Sequence, residues 1–264
     1  MKLISLNIWG GRAYEPLMEY VKGTAGDSDI FCFQEVFFSP GTEIVESRNV
    51  RINILADLEA ALPDFRPLVA PVGNGYDTTG PVDFDIIESQ AMFIKNNADW
   101  DIESDGSIFT SGKYRRLGAH EAITDVPNNF QYARLSFHSK KLTIVNEHGT
   151  AYPGNKLDTP ERLTQSQKIA EFLRGEDSAK ILCGDFNLLP ETKSIAMIEE
   201  IGMINLINKF KIELTRSKLS PFFGKPGFQK FADYAFVSPD VNVLNFTVPD
   251  VAVSDHLPLV LEFS

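Results

Sequence analysis

The chain has 264 residues, of which 43% are hydrophobic and 20 are phenylalanine, so it can bury a sizeable apolar core. Its formal net charge of −11 and its pI near 4.9 exclude a general electrostatic attraction to nucleic acid or to anionic membranes. A phosphate-bearing substrate must therefore be attracted locally, by a basic loop or by a bound cation.

No stretch of the sequence approaches the ~20 apolar residues that a membrane-spanning helix needs. The N-terminus, MKLISLNIWGG, lacks the pattern of a signal peptide. We therefore expect a cytoplasmic monomer with no membrane span. No linker divides the sequence, and its length suits one α/β or two-sheet unit, so we predict a single domain over residues 1–264. Cys32 and Cys183 each lie inside an apolar run, and we interpret them as buried thiols.

The first part of the chain predicts alternating strands and helices. Residues 2–8 and 29–36 are typical of strands, and a helix is expected from Glu15 to about Lys22. Apolar residues at helical spacing predict a second helix over 49–62, which ends before Pro63. The Gly-, Pro- and Asp-rich segment 73–89 is expected to form a loop.

The middle of the chain predicts four further strands, at 91–95, 120–126, 131–137 and 142–149. The second of these strands would contain His120, and His138 would lie in the hairpin between the last two. We assign both histidines structural roles.

The last third predicts a helix opened by Thr159 as N-cap and Pro160 at the first helical position. It leads into the strand AKILC (179–183), which is followed by a helix over 192–200 and strands over 231–238 and 256–263. Strands dominate and helices alternate with them irregularly. This pattern favours an α+β or α/β sandwich, with sheets inside and helices outside, over a strict βαβ alternation.

Polar side chains recur where apolar strands end. They are Asn7, Glu35, His148, Asp185 with Asn187, Asp233, and Asp255 with His256. Each residue alone is weak evidence for a functional site, because an asparagine at a strand end usually forms a turn and a glutamate there is usually exposed to solvent. Six such strand ends in one sequence favour a site, since binding and catalytic groups sit on loops held by a scaffold. A cluster of oxygen ligands with two imidazoles and no cysteine suits Mg²⁺ or Mn²⁺ rather than structural zinc.

The motifs LNIWGG, FQEV, NEHG, CGDFN, ADYAFVS and VSDHLPL, in this order, resemble the deoxyribonuclease I-like endonuclease/exonuclease/phosphatase superfamily. The resemblance extends from residue 3 to the end of the chain. It implies an α/β fold, a four-layer sandwich of two packed mixed β-sheets flanked by helices. It also implies a site at the edge where strand ends meet.

The resemblance further implies roles for individual residues. Glu35 would be the principal metal ligand, with Asn7 and Asp255 near the ion. Asp185 would orient or deprotonate the attacking water, and Asn187 would hold water or a phosphate oxygen.

Two imidazoles complete the implied site. Asp233 would pair with His256, fixing its tautomer and favouring the imidazolium as negative charge builds on phosphorus. His148 would contact the scissile phosphate, as it does in the deoxyribonuclease-like and sphingomyelinase-like branches. Glu88, in ESQAMFIK, is the candidate partner of His148, and the alternative is a loop carboxylate without a role.

Cationic side chains indicate where a substrate would bind. The segment 205–230 carries six of them against one acid, Glu213, and interleaves phenylalanines. It precedes Asp233 and so is expected to reach the rim of the site, with Lys218 and Lys225 as substrate contacts. Arg116, in the cluster TSGKYRRLGAH, is a further candidate. Arg134 is either a phosphate contact or an exposed strand residue.

Such a segment can follow a nucleic-acid backbone and stack on bases, or face an anionic lipid headgroup. It can also be a solvated helix with a loop packed by its phenylalanines. We favour a phosphohydrolase that depends on Mg²⁺ or Mn²⁺, a phosphodiesterase or nuclease acting on nucleic acid or nucleotide-like esters. The alternatives are the same chemistry on a phospholipid or inositol phosphate, and a phosphate-binding module without turnover. The joint presence of Glu35, Asp185, Asp233 and His256 argues against the last.

Overall fold

The computed structural model describes residues 1–96, 100–137 and 140–264, so the predicted hairpin position His138 lies outside the described residues. Sixteen strands are found in these ranges: β1 (Lys2–Asn7), β2 (Ile30–Phe38), β3 (Glu46–Ser47), β4 (Val50–Arg51), β5 (Phe65–Asn74), β6 (Tyr76–Asp77), β7 (Gly80–Pro81), β8 (Ile87–Lys95), β9 (Trp100–Ser111), β10 (Asn128–Phe137), β11 (Lys140–His148), β12 (Ala179–Asp185), β13 (Ile204–Asn205), β14 (Asp233–Val237), β15 (Val243–Thr247) and β16 (Leu259–Phe263). The α-helices of the same ranges are α1 (Tyr14–Ala25), α2 (Ile54–Ala61), α3 (Pro160–Arg174), α4 (Lys193–Glu200) and α5 (Leu206–Lys209).

Twelve of the strands form two six-stranded mixed sheets. The first has the order β15-β16-β1-β2-β8-β5, and the second has the order β13-β14-β12-β11-β10-β9. In each sheet the central pair is parallel, β1 with β2 and β11 with β12, and the other neighbours are antiparallel. Parallel neighbours end at the same edge of a sheet, so each central pair brings two carboxyl ends together.

Helices cover the outer faces of the two sheets. Along β1, Leu3 joins the core shared with the second sheet, whereas Ile4 joins a separate cluster with residues of α1 and α2. The same alternation separates Cys32 from Phe33 on β2, so the first sheet is buried on both faces. Residues of α3 and α4 pack with the second sheet in the shared core. The result is the four-layer sandwich that the sequence predicted.

The core between the sheets becomes polar towards the edge where the parallel pairs end. Gln34 on β2 donates from Nε2 to Asn146 Oδ1 on β11 at 2.6 Å, and Asn146 Nδ2 donates to Gln131 Oε1 at 3.3 Å. All three amides are buried. Because a buried amide is stable only when it is hydrogen-bonded, this layer fixes the register between the sheets directly beneath the strand ends.

Several secondary-structure predictions need correction. The strand predicted over 120–126 is a turn and a 3-10 helix (Ile123–Asp125), because its residues are exposed or only half-buried and pair with no strand of the described chain. His120 therefore lies in a turn. Three long strands were missed, β5, β9 and β15, and each is an outermost strand of its sheet. Their solvent-facing polar residues hide the strand pattern, as is usual for half-buried edges.

Two boundaries also differ from the predictions. The helix predicted over 49–62 begins at Ile54, because Val50 and Arg51 pair with β3 instead. The segment predicted as a loop over 73–89 contains the short hairpin of β6 and β7. The predicted N-cap of α3 is confirmed, since Thr159 Oγ1 accepts a hydrogen bond from the Arg162 backbone N–H at 3.2 Å. No helix in the described ranges is both long enough and apolar enough to cross a membrane.

Candidate active site

The polar strand ends of the two sheets meet at one edge of the sandwich. β1 ends at Asn7, β11 at His148 and β12 at Asp185, and Asp185 is the register partner of Asp233 at the start of β14. A cleft of about 630 Å³ opens over this edge. Its lining includes seven residues that the sequence predicted for the site: Glu35, Glu88, His148, Asp185, Asn187, Asp255 and His256.

Glu35 reaches the cleft because β2 contains a β-bulge. The register with β8 shifts between Phe33 and Val36, and Glu35 has a φ of +57°. Strict alternation would place Glu35 on the same face as Phe33, against the outer helices. A bulge inserts an extra residue and redirects the side chain, so Glu35 turns to the edge between the sheets.

Asn7 joins the carboxylates of the two sheets. Its Nδ2 donates to Glu35 Oε1 at 2.9 Å and to Asp185 Oδ2 at 3.1 Å. Its Oδ1 accepts from the backbone N–H of Trp9 at 2.9 Å, which orients the amide. Asn7 is fully buried, so this bridge holds Glu35 and Asp185 at a fixed separation.

Two carboxylates that line the cleft each have one buried oxygen without a hydrogen-bond partner, Glu35 Oε2 and Asp255 Oδ1; both oxygens of Glu147 are also unpartnered, but Glu147 does not line the cleft. The second oxygen of each residue is paired, Glu35 Oε1 with Asn7 and Asp255 Oδ2 with Arg216 Nη2 at 2.6 Å. Burial is the main reason that the pKa of Glu35 is raised, and the nearby charge of Asp255 adds to it. Unpaired buried carboxylate oxygens are costly unless a cation lies between them. These donors are oxygen atoms, which Mg²⁺ and Mn²⁺ prefer.

His256 is held between two aspartates. Its Nδ1 lies 2.8 and 2.9 Å from the two oxygens of Asp233, and its Nε2 lies 3.6 Å from Asp185 Oδ2. Burial and Arg216 oppose protonation of this imidazole, but Asp233, Asp255 and Asp185 outweigh them, so the pKa of His256 is raised. An N–H at Nδ1 therefore points to Asp233, and Nε2, on the cleft side, lies 2.5 Å from Arg216 Nη1.

Asp185, Asp233 and His256 also offer three ligand atoms within 4.8 Å of one another, which is close enough for a metal ion. Their own hydrogen bonds already satisfy them. His256 Nδ1 is engaged by Asp233, and Asp185 accepts from Asn7 and from the backbone N–H of Asn187. The Glu35 and Asp255 oxygens lack any such partner, so the need for a cation is greater there.

Asp185 and Asn187 form a turn as well as part of the site. Asn187 has a φ of +53°, and its N–H donates to Asp185 Oδ1 at 2.9 Å, so the chain bends where the strand ends. Gly184 permits the close pairing of β12 with β11, since a Cβ there would lie 2.1 Å from Glu147 O. Burial alone would raise the pKa of Asp185, but His256, Lys156 and His148 outweigh it and hold the pKa well below its usual range.

His148 lies between two glutamates. Its Nδ1 is 3.5 Å from Glu88 Oε1, and its Nε2 is 3.8 Å from Glu35 Oε1. Burial would lower the pKa of His148, but Glu88, Asp185 and Glu35 together raise it to about 9. The imidazole is therefore protonated at neutral pH.

Replacing Glu88 by Gln is expected to lower the pKa of His148 from about 9 towards its ordinary value, because the nearest compensating charge is removed. A pKa raised in the folded state stabilises the protein below the unfolded value of about 6.5, and this stability is lost as the pH rises through the folded value. NMR titration of His148 in metal-free protein measures the shift. Glu43→Gln, at an exposed glutamate, is the control. An unchanged pKa in Glu88→Gln would show that Glu88 is not the partner.

The four cations predicted as substrate contacts do not line the cleft. Arg134 instead forms a bidentate pair with Glu176, at 2.8 and 2.7 Å, so it is engaged within the fold. Arg116 pairs with Asp85 and with backbone carbonyls of the 82–84 loop. Lys218 and Lys225 are exposed on the predicted basic segment, of which Arg216, residues 220–222 and residues 227–229 line the cleft. Arg134 and Arg116 are therefore engaged by acidic side chains of the fold and the lysines lie outside the cleft wall, and the roles of all four as substrate contacts stay predictions.

Three cations that were not predicted as site residues line the cleft: Arg12, Lys156 and Arg216. Arg12 donates from Nη2 to Thr78 Oγ1 at 2.7 Å. Arg216 belongs to the predicted basic segment, and nothing in its local sequence distinguished it from the lysines around it. Its position depends on the pairing of its backbone with His256, which lies 40 residues away in sequence. Lys156 follows the NEHG motif in an irregular loop, and no periodic pattern indicates which way it points.

The profile of the Endonuclease/Exonuclease/phosphatase family matches residues 4–256 of the chain. The structure is similar to that of mannosyl-6-phosphatase Bt3783 from Bacteroides thetaiotaomicron VPI-5482, with 19% identity, a TM-score of 0.69 and coverage of 100% of this chain and 99% of that one. An endonuclease/exonuclease/phosphatase family protein from Leptotrichia buccalis C-1013-b gives 16% identity, a TM-score of 0.71 and coverage of 100% and 99%. D. rerio TDP2 complexed with a single-strand DNA product gives 15% identity, a TM-score of 0.65 and coverage of 100% and 98%. No curated protein matches the chain. At these identities, the structural likeness shows the fold.

Proposed function

The chain belongs to the endonuclease/exonuclease/phosphatase family, a family of phosphoester hydrolases, and from this premise we propose that it is a phosphohydrolase dependent on Mg²⁺ or Mn²⁺. The proposal treats residues 1–264 as one catalytic domain, acting as a cytoplasmic monomer. The observation that carries it is the pair of unpartnered buried oxygens, Glu35 Oε2 and Asp255 Oδ1, beside an ionised Asp185.

Glu35 is the proposed principal ligand of the divalent cation, with Asp255 and Asn7 beside it. The cation, when bound, screens the phosphate charge and stabilises the charge that develops in the transition state. Asn7 holds Glu35 by hydrogen-bonding its Oε1, which leaves Oε2 directed away from Asn7 and free of any other donor in the described chain.

Asp185 is the proposed acceptor for the attacking water. Its depressed pKa keeps it ionised at neutral pH, and its contacts with Asn7 and with the N–H of Asn187 fix the carboxylate. Water held by Asp185 loses a proton to the carboxylate as its oxygen bonds to phosphorus. Asn187 lies at the same turn and is proposed to hold that water or a phosphate oxygen.

The two imidazoles are proposed to act on the phosphate. Asp233 orients His256 through Nδ1, so that Nε2 faces the position where negative charge builds. His148, protonated through its contact with Glu88, offers a second N–H from the opposite sheet. The P–O bond to the leaving group then breaks in a site that supplies positive charge from both sheets.

The mouth of the cleft supports a substrate that carries a ring. Trp9, Tyr152, Phe222 and Phe228 all line it, and aromatic side chains stack on bases and on other flat or apolar ring faces. We therefore propose a phosphate ester of a nucleic acid or a nucleotide-like molecule as the substrate. One observation favours a phospholipid or inositol phosphate instead, because Phe222 and Phe223 are 66% and 47% exposed on the segment that carries Lys225.

A substrate panel tests this function. The purified protein is assayed with Mg²⁺ or Mn²⁺ on plasmid and single-stranded DNA, an abasic duplex, nucleoside monophosphates, mannose 6-phosphate, sphingomyelin, inositol phosphates and aryl phosphates. We expect hydrolysis of at least one ester, abolished by a chelator and restored by the metal. Asp185→Asn protein, prepared in parallel, controls for contaminating hydrolases. Inactivity on every ester, together with no metal binding by calorimetry, would refute the proposal.

A further inference from the structure

We propose that Lys156 and Arg216 form a cationic pocket that binds a terminal phosphate group, so that this site selects phosphomonoesters over phosphodiesters. The proposal rests on the phosphohydrolase function above and names the form of phosphate that the enzyme takes. The sequence favours a phosphodiester substrate, and that expectation involves the lysines of the basic segment. The structure has different cations in the cleft, so the proposed substrate differs from that expectation.

Lys156 is a buried cation without a carboxylate partner. It is 8% exposed, and its Nζ donates to Asn187 Oδ1, the neutral amide next to Asp185 in the site. Within the described part of the chain, no carboxylate lies within ion-pairing distance of this Nζ. Burial lowers the pKa of Lys156 and outweighs the charges of Asp185 and Asp233, which favour the ammonium form. An anion bound in direct contact with the Nζ would reduce this cost of burial.

The loop around Lys156 is built to hold it in place. Arg162, a fully buried arginine of α3, donates to four carbonyl oxygens of this loop. The acceptors are Thr150 O at 3.0 Å, Ala151 O at 3.1 Å, Pro153 O at 2.6 Å and Leu157 O at 2.6 Å. The Lys156 carbonyl itself accepts from Leu189 N at 2.9 Å. The lysine is therefore positioned before any substrate arrives.

Backbone strain points to the same part of the cleft. The described chain has seven non-glycine residues with positive φ, and four of them line the cleft. They are Trp9, Glu35, Lys156 and Asn187. Such conformations are unfavourable for residues with a Cβ and persist where the surrounding structure enforces them, commonly at functional sites. Lys156 shares this feature with Glu35 and Asn187, which are already assigned to the reaction.

Arg216 faces the reacting groups from the other wall. Its neighbours Thr215 and Ser217 are tied to the 255–257 segment, through Leu257 N to Thr215 O at 2.8 Å and Ser217 N to Asp255 O at 2.9 Å. Its guanidinium contacts Asp255 Oδ2 and His256 Nε2. The carboxylate of Asp255 now compensates the charge of Arg216. A metal ion bound at Asp255 would take part of that negative charge. The guanidinium, with its several donors, is then left facing the phosphate.

The number of positive groups matches a terminal phosphate better than a diester. A monoester has three non-bridging oxygens and close to two negative charges at neutral pH, because its second pKa is about 6. A diester has two such oxygens and one charge. Lys156 and Arg216 add two charged donors to the imidazoles of His148 and His256, all lining one cleft. A bound diester would leave some of these positively charged donors without an anionic oxygen to contact.

The test compares p-nitrophenyl phosphate with bis(p-nitrophenyl) phosphate in Mg²⁺, using wild type, Lys156→Met, Arg216→Gln and Arg216→Lys. The wild type should have the higher kcat/KM on the monoester. Lys156→Met and Arg216→Gln should each lower the monoester kcat/KM by about 10²-fold, the usual loss for one charged or preorganised donor, and the diester value by less than about tenfold. Arg216→Lys, which keeps the charge, should fall between. Lys209→Met, at an exposed lysine of the same segment, should match the wild type.

Calorimetric titration with inorganic phosphate, with Mg²⁺ present, gives a readout that does not depend on turnover. We expect weaker phosphate binding in Lys156→Met and Arg216→Gln, with melting temperatures that show folded protein. Equal losses on both esters, a wild type that prefers the diester, or unchanged phosphate affinity in both variants would overturn the proposal. If the wild type hydrolyses neither these two esters nor any ester of the panel above and binds no metal, the phosphohydrolase function fails, and the phosphate titration alone then decides whether the pocket exists.

Discussion

Asp185→Asn is expected to lower kcat by at least about 10²-fold while the protein stays folded, because a general base typically contributes 10²- to 10⁴-fold. Asparagine has nearly the shape of aspartate and keeps an oxygen for the N–H of Asn187, now 2.9 Å from Asp185 Oδ1. It removes the negative charge that accepts the proton of water. The measurement is kcat at saturating substrate and Mg²⁺, on the most active substrate of the panel.

The control for this change is Asp240→Asn, which alters an exposed aspartate beyond β14 and should leave kcat unchanged. Thermal unfolding of both variants reports whether the fold is intact. An Asp185→Asn protein with the rate of the wild type would mean that the reaction takes place elsewhere.

Glu35→Gln is expected to weaken Mn²⁺ binding by at least about 10²-fold, because loss of a neighbour of a ligand already costs 10- to 100-fold in metal affinity. Glutamine keeps an oxygen for Asn7 Nδ2, now 2.9 Å from Glu35 Oε1, and removes the charge at the unpartnered Oε2. Calorimetric titration of metal-free protein measures the affinity, and Glu43→Gln, at an exposed glutamate, is the control.

The pH dependence of metal binding gives the same prediction a second readout. Burial raises the pKa of Glu35, and a metal ligand must be ionised to bind. Affinity in the wild type should therefore fall as the pH is lowered, and at a higher pH than for an ordinary carboxylate. Equal Mn²⁺ affinity in Glu35→Gln and in the wild type would remove Glu35 from the metal site.

The strand ends were predictable because their signals are local. Asn7, His148, Asp185 and Asp233 each directly follow or begin a run of apolar residues, and the structure has a strand boundary at each of them. The prediction that these strand ends meet rests on the order of the motifs, which resembles that of a known family. The sequence alone gives no strand order, since antiparallel pairs such as β1 with β16 join segments far apart in the chain.

The residues that escaped prediction are positioned by distant contacts. Glu35 is predicted as a site residue, but the β-bulge that directs its side chain into the cleft depends on the pairing of β2 with β8. Lys156 is held by the buried Arg162, and Arg216 by backbone pairing with His256. A basic segment was visible in the sequence, but which of its cations faces inward is decided by the 255–257 segment. The substrate contacts were for this reason the weakest part of the prediction.

The structure offers two places for a cation. The roles proposed for Asp185 and His256 depend on which of the two is occupied. One lies between Glu35 and Asp255, where two buried oxygens have no partner. The other lies among Asp185, Asp233 and His256, where hydrogen bonds already use the ligand atoms. Only the first leaves Asp185 free to accept a proton and His256 free to face the phosphate.

The most direct measurement is the anomalous scattering of Mn²⁺ in crystals grown with manganese and inorganic phosphate. We expect an anomalous peak beside Glu35 Oε2 and Asp255 Oδ1, with phosphate between that ion and the side chains of His256, Lys156 and Arg216. A peak enclosed by Asp185, Asp233 and His256 instead, or no bound manganese at this edge of the sheets, would contradict it.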